Sequence, residues 1–326
     1  MLRCHQEIAM KLCVQIPCLN EAQTLPAVLA TIPKHIEGID DITIVVIDDG
    51  SSDKTVEVAR GLGVTHFVRH SQRRGLAQSF QDGVLYCLQL GADIIVNTDG
   101  DNQYPSQDIP HLIAPIVAKR ADMVIADRQV SKIAHFSLGK KLFQKIGTWT
   151  LNKAANTNVP DAPSGFRAYS RETAIKLNVV TRFSYAMETL IQAGNSGVAI
   201  ASVPITVNPK TRESRLFNSS AEHVIKSGSA IFRAFVMYRP YMLFLPLAGI
   251  LLLVGLIPFI RFLLSAFDAT PGGHIQSLIF GMVFLIGSLI SFTLGVIADM
   301  VRINRVLQEK ELELTKRQYV AETTKK

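Results

Sequence analysis

The sequence predicts an α/β domain built on a mostly parallel sheet, followed by an α-helical transmembrane hairpin. Three observations carry this expectation. From residue 11 to about 206, short β-rich runs alternate with helical stretches, the βαβ pattern of a sheet covered on both faces. Two almost wholly apolar segments follow, residues 241–267 and 275–298, each long enough to cross a hydrocarbon core about 30 Å thick. Acidic and small polar residues stand directly after the β-rich runs, at the carboxyl ends of the predicted strands, where open α/β sheets bind ligands.

In chain order, residues 11–16, 42–47, 65–68, 93–97 and 123–126 read as strands, with helices starting near Ala22, Lys54, Gly75 and Ser106. The first strand runs into Pro17-Cys18-Leu19-Asn20-Glu21 and the second into Asp48-Asp49-Gly50-Ser51-Ser52-Asp53. Asp49 and Glu21 can accept hydrogen bonds from a ribose or a base edge, whereas Ser51, Ser52 or Asp53 also suits the cap of the next helix. Arg73-Arg74-Gly75 opens a helix after the third strand, so backbone N–H groups, helix dipole and guanidinium groups converge on an anion site. The fourth strand ends in Asp99-Gly100-Asp101. Paired carboxylates are hard ligands for Mg²⁺ or Mn²⁺ shared with substrate phosphates, and Asp-Gly-Asp-Asn is equally turn chemistry; these residues alone leave both readings open.

The chain has 326 residues, 48% of them hydrophobic, which suits a soluble domain with a membrane part. Lys226, Arg233 and Arg239 precede the first apolar segment, and Arg302, Arg305, Lys310, Lys316 and Arg317 follow the second, while the connector at 268–274 has no Lys or Arg. Both termini are therefore expected on the cytoplasmic side of a cell membrane crossed twice. Arg261, near the far end of the first segment, is placed to snorkel to the outer interface. The expected division is a cytoplasmic domain at 1–220, an interfacial amphipathic helix at 221–240, two spans within 241–300 and a cytoplasmic tail at 301–326, read as a solvated or headgroup-bound helix. Val224, Ile231, Phe235 and Tyr238 recur at helical spacing with Lys226 and Arg233 on another face. Gly281, Gly287 and Ser288 offer small-residue surfaces for homo-oligomer formation.

Several function classes are excluded. The net charge of +7 comes without an aromatic-and-basic recognition motif, so anionic lipid rather than nucleic acid is its expected partner. No GxGxxG follows the first strand, and GxxxxGK[ST], HExxH and GxSxG are absent, which argues against dinucleotide, P-loop, zinc-protease and hydrolase chemistry. Cys4, Cys13, Cys18 and Cys87 lack metal-ligand spacing and read as reduced structural thiols.

The ordered set Pro17-x-x-Asn20-Glu21, Asp48-Asp49-Gly50-Ser51-x-Asp53, Arg74-Gly75, Asp99-x-Asp101-x-Gln103-x-Pro105, Ser164-Gly165-Phe166-Arg167, Met187-Glu188 and Arg212-Glu213-Ser214-Arg215-Leu216 resembles the inverting family 2 glycosyltransferases. It resembles in particular their polyisoprenyl-phosphate branch, which includes dolichyl-phosphate mannose synthase and bacterial two-span members. The resemblance implies a GT-A, Rossmann-like nucleotide-diphospho-sugar transferase fold over residues 11–216. It implies that Pro17, Leu19, Glu21, Asp48, Asp49, Arg74, Asp99 and Gly100 bind the nucleotide sugar, and that Asp99, Asp101 and Gln103 hold Mg²⁺ or Mn²⁺. Arg167, Arg212 and Arg215 are expected at the acceptor phosphate, with Asp101 and Glu188 completing the catalytic set. Arg215 stands where the family commonly has Lys, a change that keeps the charge and adds bidentate geometry.

The implied reaction moves a sugar, expected to be glucose from UDP-glucose, to polyprenyl phosphate with inversion. Such an acceptor arrives ionised, so the nucleophile needs no general base. GDP-mannose as donor, a hydroxyl lipid acceptor and a non-catalytic nucleotide-sugar sensor are the alternatives. A processive synthase is disfavoured because Trp149 follows Ile146-Gly147-Thr148 rather than the Gln-x-x-Arg-Trp motif. Base and sugar choice would depend on the loops around Asp49, Arg74 and Asp127-Arg128.

Overall fold

The computed structural model describes residues 10–129, 138–179, 185–209, 236–265 and 275–324, with residues 229, 232 and 233 besides. It contains a seven-stranded sheet ordered β3-β2-β1-β4-β6-β5-β7, formed by β1 (Lys11–Cys18), β2 (Asp41–Asp48), β3 (His66–Arg69), β4 (Ile94–Asn97), β5 (Met123–Asp127), β6 (Arg167–Ser170) and β7 (Ile200–Pro204). Four of the six pairings are parallel; β6 runs antiparallel to both β4 and β5. Leu12 to Cys18 are all buried, as a central strand covered on both faces requires.

The crossover helices are α1 (Leu25–Thr31), α2 (Thr55–Gly61), α3 (Leu76–Gln89) and α4 (Ile109–Val117), the last preceded by a 3₁₀ turn at Ser106–Asp108. Strands 1 to 5 lie where the sequence places them. β6 and β7 were not foreseen, and both lack the signal of a buried strand. β6 has four residues beginning with an arginine, and β7 is half exposed at the sheet edge. Helices α5 (Leu138–Ala155), α6 (Arg171–Lys176) and α7 (Tyr185–Asn195) complete this part of the chain. Val14, Ile16, Leu25, Val28, Ile94, Val96, Leu112, Val124 and Phe166 belong to the apolar cluster on one side of the sheet. Cys13, Cys18 and Cys87 are free, buried thiols, as expected, and burial pushes the Cys18 and Cys87 thiols well above their ordinary range. Cys4 lies outside the described residues.

The chain divides into two compact units, Met1–Ser227 with Glu309–Lys326, and Gly228–Gln308. The second holds α8 (Pro240–Ser265) and the first part of α9 (Ile275–Thr324), two helices long and apolar enough to cross a membrane. They meet along small residues. A Cβ on Gly255 would lie 3.1 Å from the Gly281 carbonyl oxygen, Ser288 Oγ donates to the Ala248 carbonyl at 2.8 Å, and Ser291 Oγ donates to that of Phe244 at 3.0 Å. Gly281 and Ser288 therefore pack the hairpin itself, as small residues and interhelical hydrogen bonds do in lipid. Ile257, Phe280 and Leu289 point outward and are exposed, as is Arg261. Arg305 lies 4.6 Å above the Tyr238 ring, a cation–π pair. Of the expected interfacial helix, Val224, Lys226, Ile231 and Phe235 lie outside the described residues; Arg233 is exposed.

The tail departs from its expectation. Rather than a solvated or headgroup-bound helix, residues 309–324 of α9 join the α/β unit. Lys316 Nζ donates to the Leu177 carbonyl at 2.7 Å, Arg317 pairs with Glu172 at 2.6 Å and Glu313 at 2.9 Å, Tyr319 accepts from Gln89 at 2.9 Å, and Val320 is buried. Lys316 closes a small cavity lined by Phe80, Val84, Leu88 and Val179. Burial lowers its pKa to about 8. Because the unfolded chain keeps this ammonium until about pH 10.5, it binds more protons than the folded state between these values, and stability from this group rises with pH across that window. Thermal melts of the full chain in detergent should show this rise between pH 8 and 10 and its loss in Lys316→Met.

Candidate active site

The site lies beyond the carboxyl ends of β1, β2 and β4, and a chain of buried amides fixes its floor. Gln15 on β1 donates to Asn97 Oδ1 on β4 at 2.9 Å. Asn97 Nδ2 in turn donates to the Gly165 carbonyl at 3.0 Å and to the Tyr185 hydroxyl at 2.9 Å. Burial, with the Asp99 charge nearby, pushes the Tyr185 phenol well above its ordinary range, so it stays a neutral hydroxyl and donates to the Gly165 carbonyl at 3.2 Å. Phe80 stacks on the Tyr185 ring with centroids 4.3 Å apart. Asp99 follows two residues after Asn97, so this network sets where the acidic loop begins.

Asp99 and Asp101 are partly exposed at that edge. Asp101 Oδ1 accepts from the Gln103 backbone N–H at 3.1 Å, and Oδ2 from Gln103 Nε2 at 2.8 Å. Gln103 thus grips Asp101 through its backbone and side-chain N–H groups, and its amide oxygen is the atom that could serve a metal. Asn102 takes a left-handed conformation (φ 60°), and Asn208 holds the loop from the far side, donating to the carbonyls of Gln103 and Asn102 at 3.0 Å each. Among the described residues no three His, Cys, Asp or Glu side chains converge on one point. Two partly exposed carboxylates are hard oxygen donors of the kind that bind Mg²⁺ or Mn²⁺ together with substrate phosphates rather than in a protein cage.

The β1 and β2 loops are laced together. Asn20 Oδ1 accepts from the Ser52 N–H at 2.8 Å, Ser51 Oγ accepts from the Asn20 N–H at 2.9 Å, and Thr55 Oγ1 accepts from the Glu21 N–H at 2.9 Å. The Thr24 hydroxyl sits 2.8 Å from Glu21 Oε2 and 2.7 Å from the Gly100 carbonyl, joining the first loop to the acidic one. Gly100 fits closely there, since a Cβ would meet Cys18 Sγ at 3.1 Å and Glu21 Cγ at 3.2 Å and press both aside. Pro17 and Glu21 are buried, Leu19 partly so, and Arg74 is exposed. Asp49 accepts from the Arg74 and Gly75 N–H groups at 2.7 and 2.9 Å. Asp48 faces elsewhere: it is buried, accepts from the Ser51 N–H at 2.9 Å and lies 3.5 Å from Arg69 Nε, so it closes the β2 turn and is not presented to a ligand.

One expected site residue is placed differently. Arg167 is 0% exposed, and its guanidinium donates to the carbonyls of Ser164 (2.7 Å), Ala186 (2.7 Å) and Ala162 (2.6 Å) and to Thr189 Oγ1 (2.9 Å). With its donors spent on backbone, it shapes the 162–165 loop and the start of α7 and does not reach an acceptor phosphate. Glu188 is buried within the first turns of α7, between the Ala186 and Thr189 partners of Arg167 in sequence. Arg128 forms a bidentate pair with the buried Asp161 (2.6 and 2.8 Å), a partner that sequence spacing did not disclose. Arg212 and Arg215 lie outside the described residues.

A mostly parallel sheet of this order, with paired carboxylates beyond the end of β4, has the architecture of a GT-A-type fold. The family profile described as glycosyl transferase family 2 matches residues 13–177, half of the chain, and the chain belongs to that family. It is 32% identical over 219 residues to a dolichol-phosphate mannosyltransferase of Pyrococcus furiosus, covering 64% of this chain and 59% of that one. It is 25% identical over 207 residues to an undecaprenyl-phosphate mannosyltransferase of Micrococcus luteus, covering 60% and 83%. Among solved structures, glucosyl-3-phosphoglycerate synthase of Mycobacterium tuberculosis, in complex with Mn²⁺, UDP and phosphoglyceric acid, shares the fold with a TM-score of 0.54 at 20% identity, covering 70% of this chain and 78% of that one.

Two substitutions probe this geometry. A Cβ on Gly165 would fall 2.7 Å from the Tyr185 hydroxyl and 3.4 Å from Asp99 Oδ2, so Gly165→Ala should lower kcat/KM at least about tenfold while the far-UV spectrum is unchanged. Arg167→Leu strands three buried carbonyls and should cost about 3 kcal/mol or more in denaturant unfolding of the full chain, with both substrates affected alike in residual activity.

Proposed function

We propose that the protein transfers a hexose from a nucleotide-diphosphate sugar to polyprenyl phosphate at a membrane surface. The observation that supports this most is the carboxylate pair Asp99 and Asp101, steadied by Asn97 and Gln103, in a family 2 chain that continues into two helices able to cross a membrane. In this reading Pro17, Leu19, Glu21, Asp49, Arg74 and Gly100 surround the nucleotide, and Asp99 and Asp101 hold Mg²⁺ or Mn²⁺. When bound, such an ion acts as a Lewis acid on the departing nucleoside diphosphate.

The acceptor phosphate is ionised at neutral pH, so no side chain need remove a proton from the nucleophile, and the burden falls on placing two anions in line. Arg212 and Arg215 are the residues assigned to drawing in the acceptor phosphate. Glu188, buried beside the Ala186 and Thr189 partners of Arg167, is assigned to orienting the site wall. Displacement from the opposite face of the anomeric carbon gives inversion. The hairpin is read as crossing the bilayer with both termini cytoplasmic, the tail-bearing α/β domain lying on that side.

The names of the mannosyltransferase relatives favour a mannose donor such as GDP-mannose over the UDP-glucose first expected, a choice the motifs themselves do not make. The test is a donor panel. Membranes containing the protein are incubated with polyprenyl phosphate, Mg²⁺ or Mn²⁺, and radiolabelled GDP-mannose or UDP-glucose in separate tubes. A chloroform-soluble, mild-acid-labile product from one donor is expected, and Asp101→Ala should reduce its formation at least about 100-fold. Labelled lipid formed only on a hydroxylated acceptor, or a fully active Asp101→Ala enzyme, would overturn the assignment.

A further inference from the structure

We propose that His70 is a positioning residue for the nucleotide: it locks the Asp49 carboxylate so that a single acceptor position of Oδ2 faces the incoming ligand. The inference rests on reading Asp49 as part of the nucleotide-sugar pocket. His70 follows β3 and is buried. Its backbone N–H donates to the Asp48 carbonyl at 2.9 Å, which fixes the ring between two acids. Nδ1 lies 2.9 Å from Asp49 Oδ1, and Nε2 lies 3.0 Å from Asp82 Oδ2 on α3. Asp82 is itself oriented by Gln78 Nε2 at 2.8 Å.

An ionised carboxylate has about four acceptor sites, two on each oxygen. On Asp49, Oδ1 is filled by the Arg74 N–H and His70 Nδ1, and Oδ2 takes the Gly75 N–H. Among the described residues, one site on Oδ2 is left over. Were His70 withdrawn, Oδ1 would regain a site and the carboxylate could turn about its Cβ–Cγ bond, trading the ligand-facing oxygen for the loop-facing one. The Asp82, Gln78 and His70 chain therefore sets the angle of a group it does not share with the ligand, as outer partners orient metal-binding imidazoles. Asp82 and Gln78 lie one turn apart on α3, the helix whose first N–H groups follow Gly75, so the loop and its lock are carried on one rigid element.

Calorimetric titration of the full chain in detergent with UDP and with GDP, in the presence of Mn²⁺, tests this. The side-chain amide of Asn reaches the Nδ1 position and that of Gln the Nε2 position. His70→Asn should keep the wild-type Kd within about threefold for whichever nucleotide binds, while His70→Gln and His70→Ala should raise it about tenfold or more, with melting temperatures of the Asn and Gln variants alike. In turnover, donor KM should follow Kd and kcat should stay within about threefold of wild type. Equal affinities in Asn and Gln variants, or a loss of affinity that tracks the melting temperature, would overturn the positioning role while leaving the pocket assignment in place. Wild-type protein that binds neither nucleotide would overturn the pocket assignment and the role together.

Discussion

The carboxamide of Asn97 is the point on which the site depends. It sits at the last position of β4, buried where water cannot compensate a lost partner, and its oxygen and nitrogen are used on three sides: Gln15 on β1, the Gly165 carbonyl and the Tyr185 hydroxyl. Those partners come from positions 15, 165 and 185, so one side chain ties the first strand, the loop before β6 and the first turn of α7 to the start of the acidic loop. Gly83 keeps this arrangement feasible, because any Cβ there would press on Gln15 Oε1 and Ile47. A carboxylate pair on a surface turn would be free to bind a cation or not. The same pair here starts two residues beyond a strand end that is held on three sides.

Arginine shows how one residue type is put to opposite uses in the same domain. Arg167 is buried and spent on carbonyl oxygens and Thr189, and the partly exposed Arg128 is committed to the buried Asp161. Arg73 and Arg74 are exposed at the start of α3. A planar guanidinium suits the interior because its five donors can satisfy several carbonyls at once and it is less strongly hydrated than an ammonium. Motif matching alone cannot separate the two uses, since a buried scaffold arginine and a substrate-facing one leave the same letter in the sequence.

Much of the fold was legible for a simple physical reason. Parallel strands covered on both faces need continuous apolar runs, and those at β1, β2 and β4 are long enough to be seen without neighbours. The acidic, Asn-Glu and Asp-Asp-Gly strand ends were likewise visible as local patterns. What escaped were features fixed by distant partners: β6, admitted as an antiparallel strand because its neighbours supply both edges; Asp161, recognisable only across the gap to Arg128; and His70, which gains meaning only when Asp49 and Asp82 flank it. The tail escaped for a related reason. Its charges read as a solvated face until Glu172 and Leu177 are brought opposite Arg317 and Lys316.

The three buried thiols carry a consequence of their own. Cys13 and Cys18 lie on the central strand and Cys87 on the helix behind it, all free and sealed from solvent, with Cys18 and Cys87 held in the unreactive protonated form by burial. Only the thiolate attacks an alkylating reagent, so modification has to wait for the sheet to open. The protein thus holds an intrinsic clock at the centre of its catalytic domain, in which the rate of thiol capture counts the openings that every ligand at the strand ends would slow.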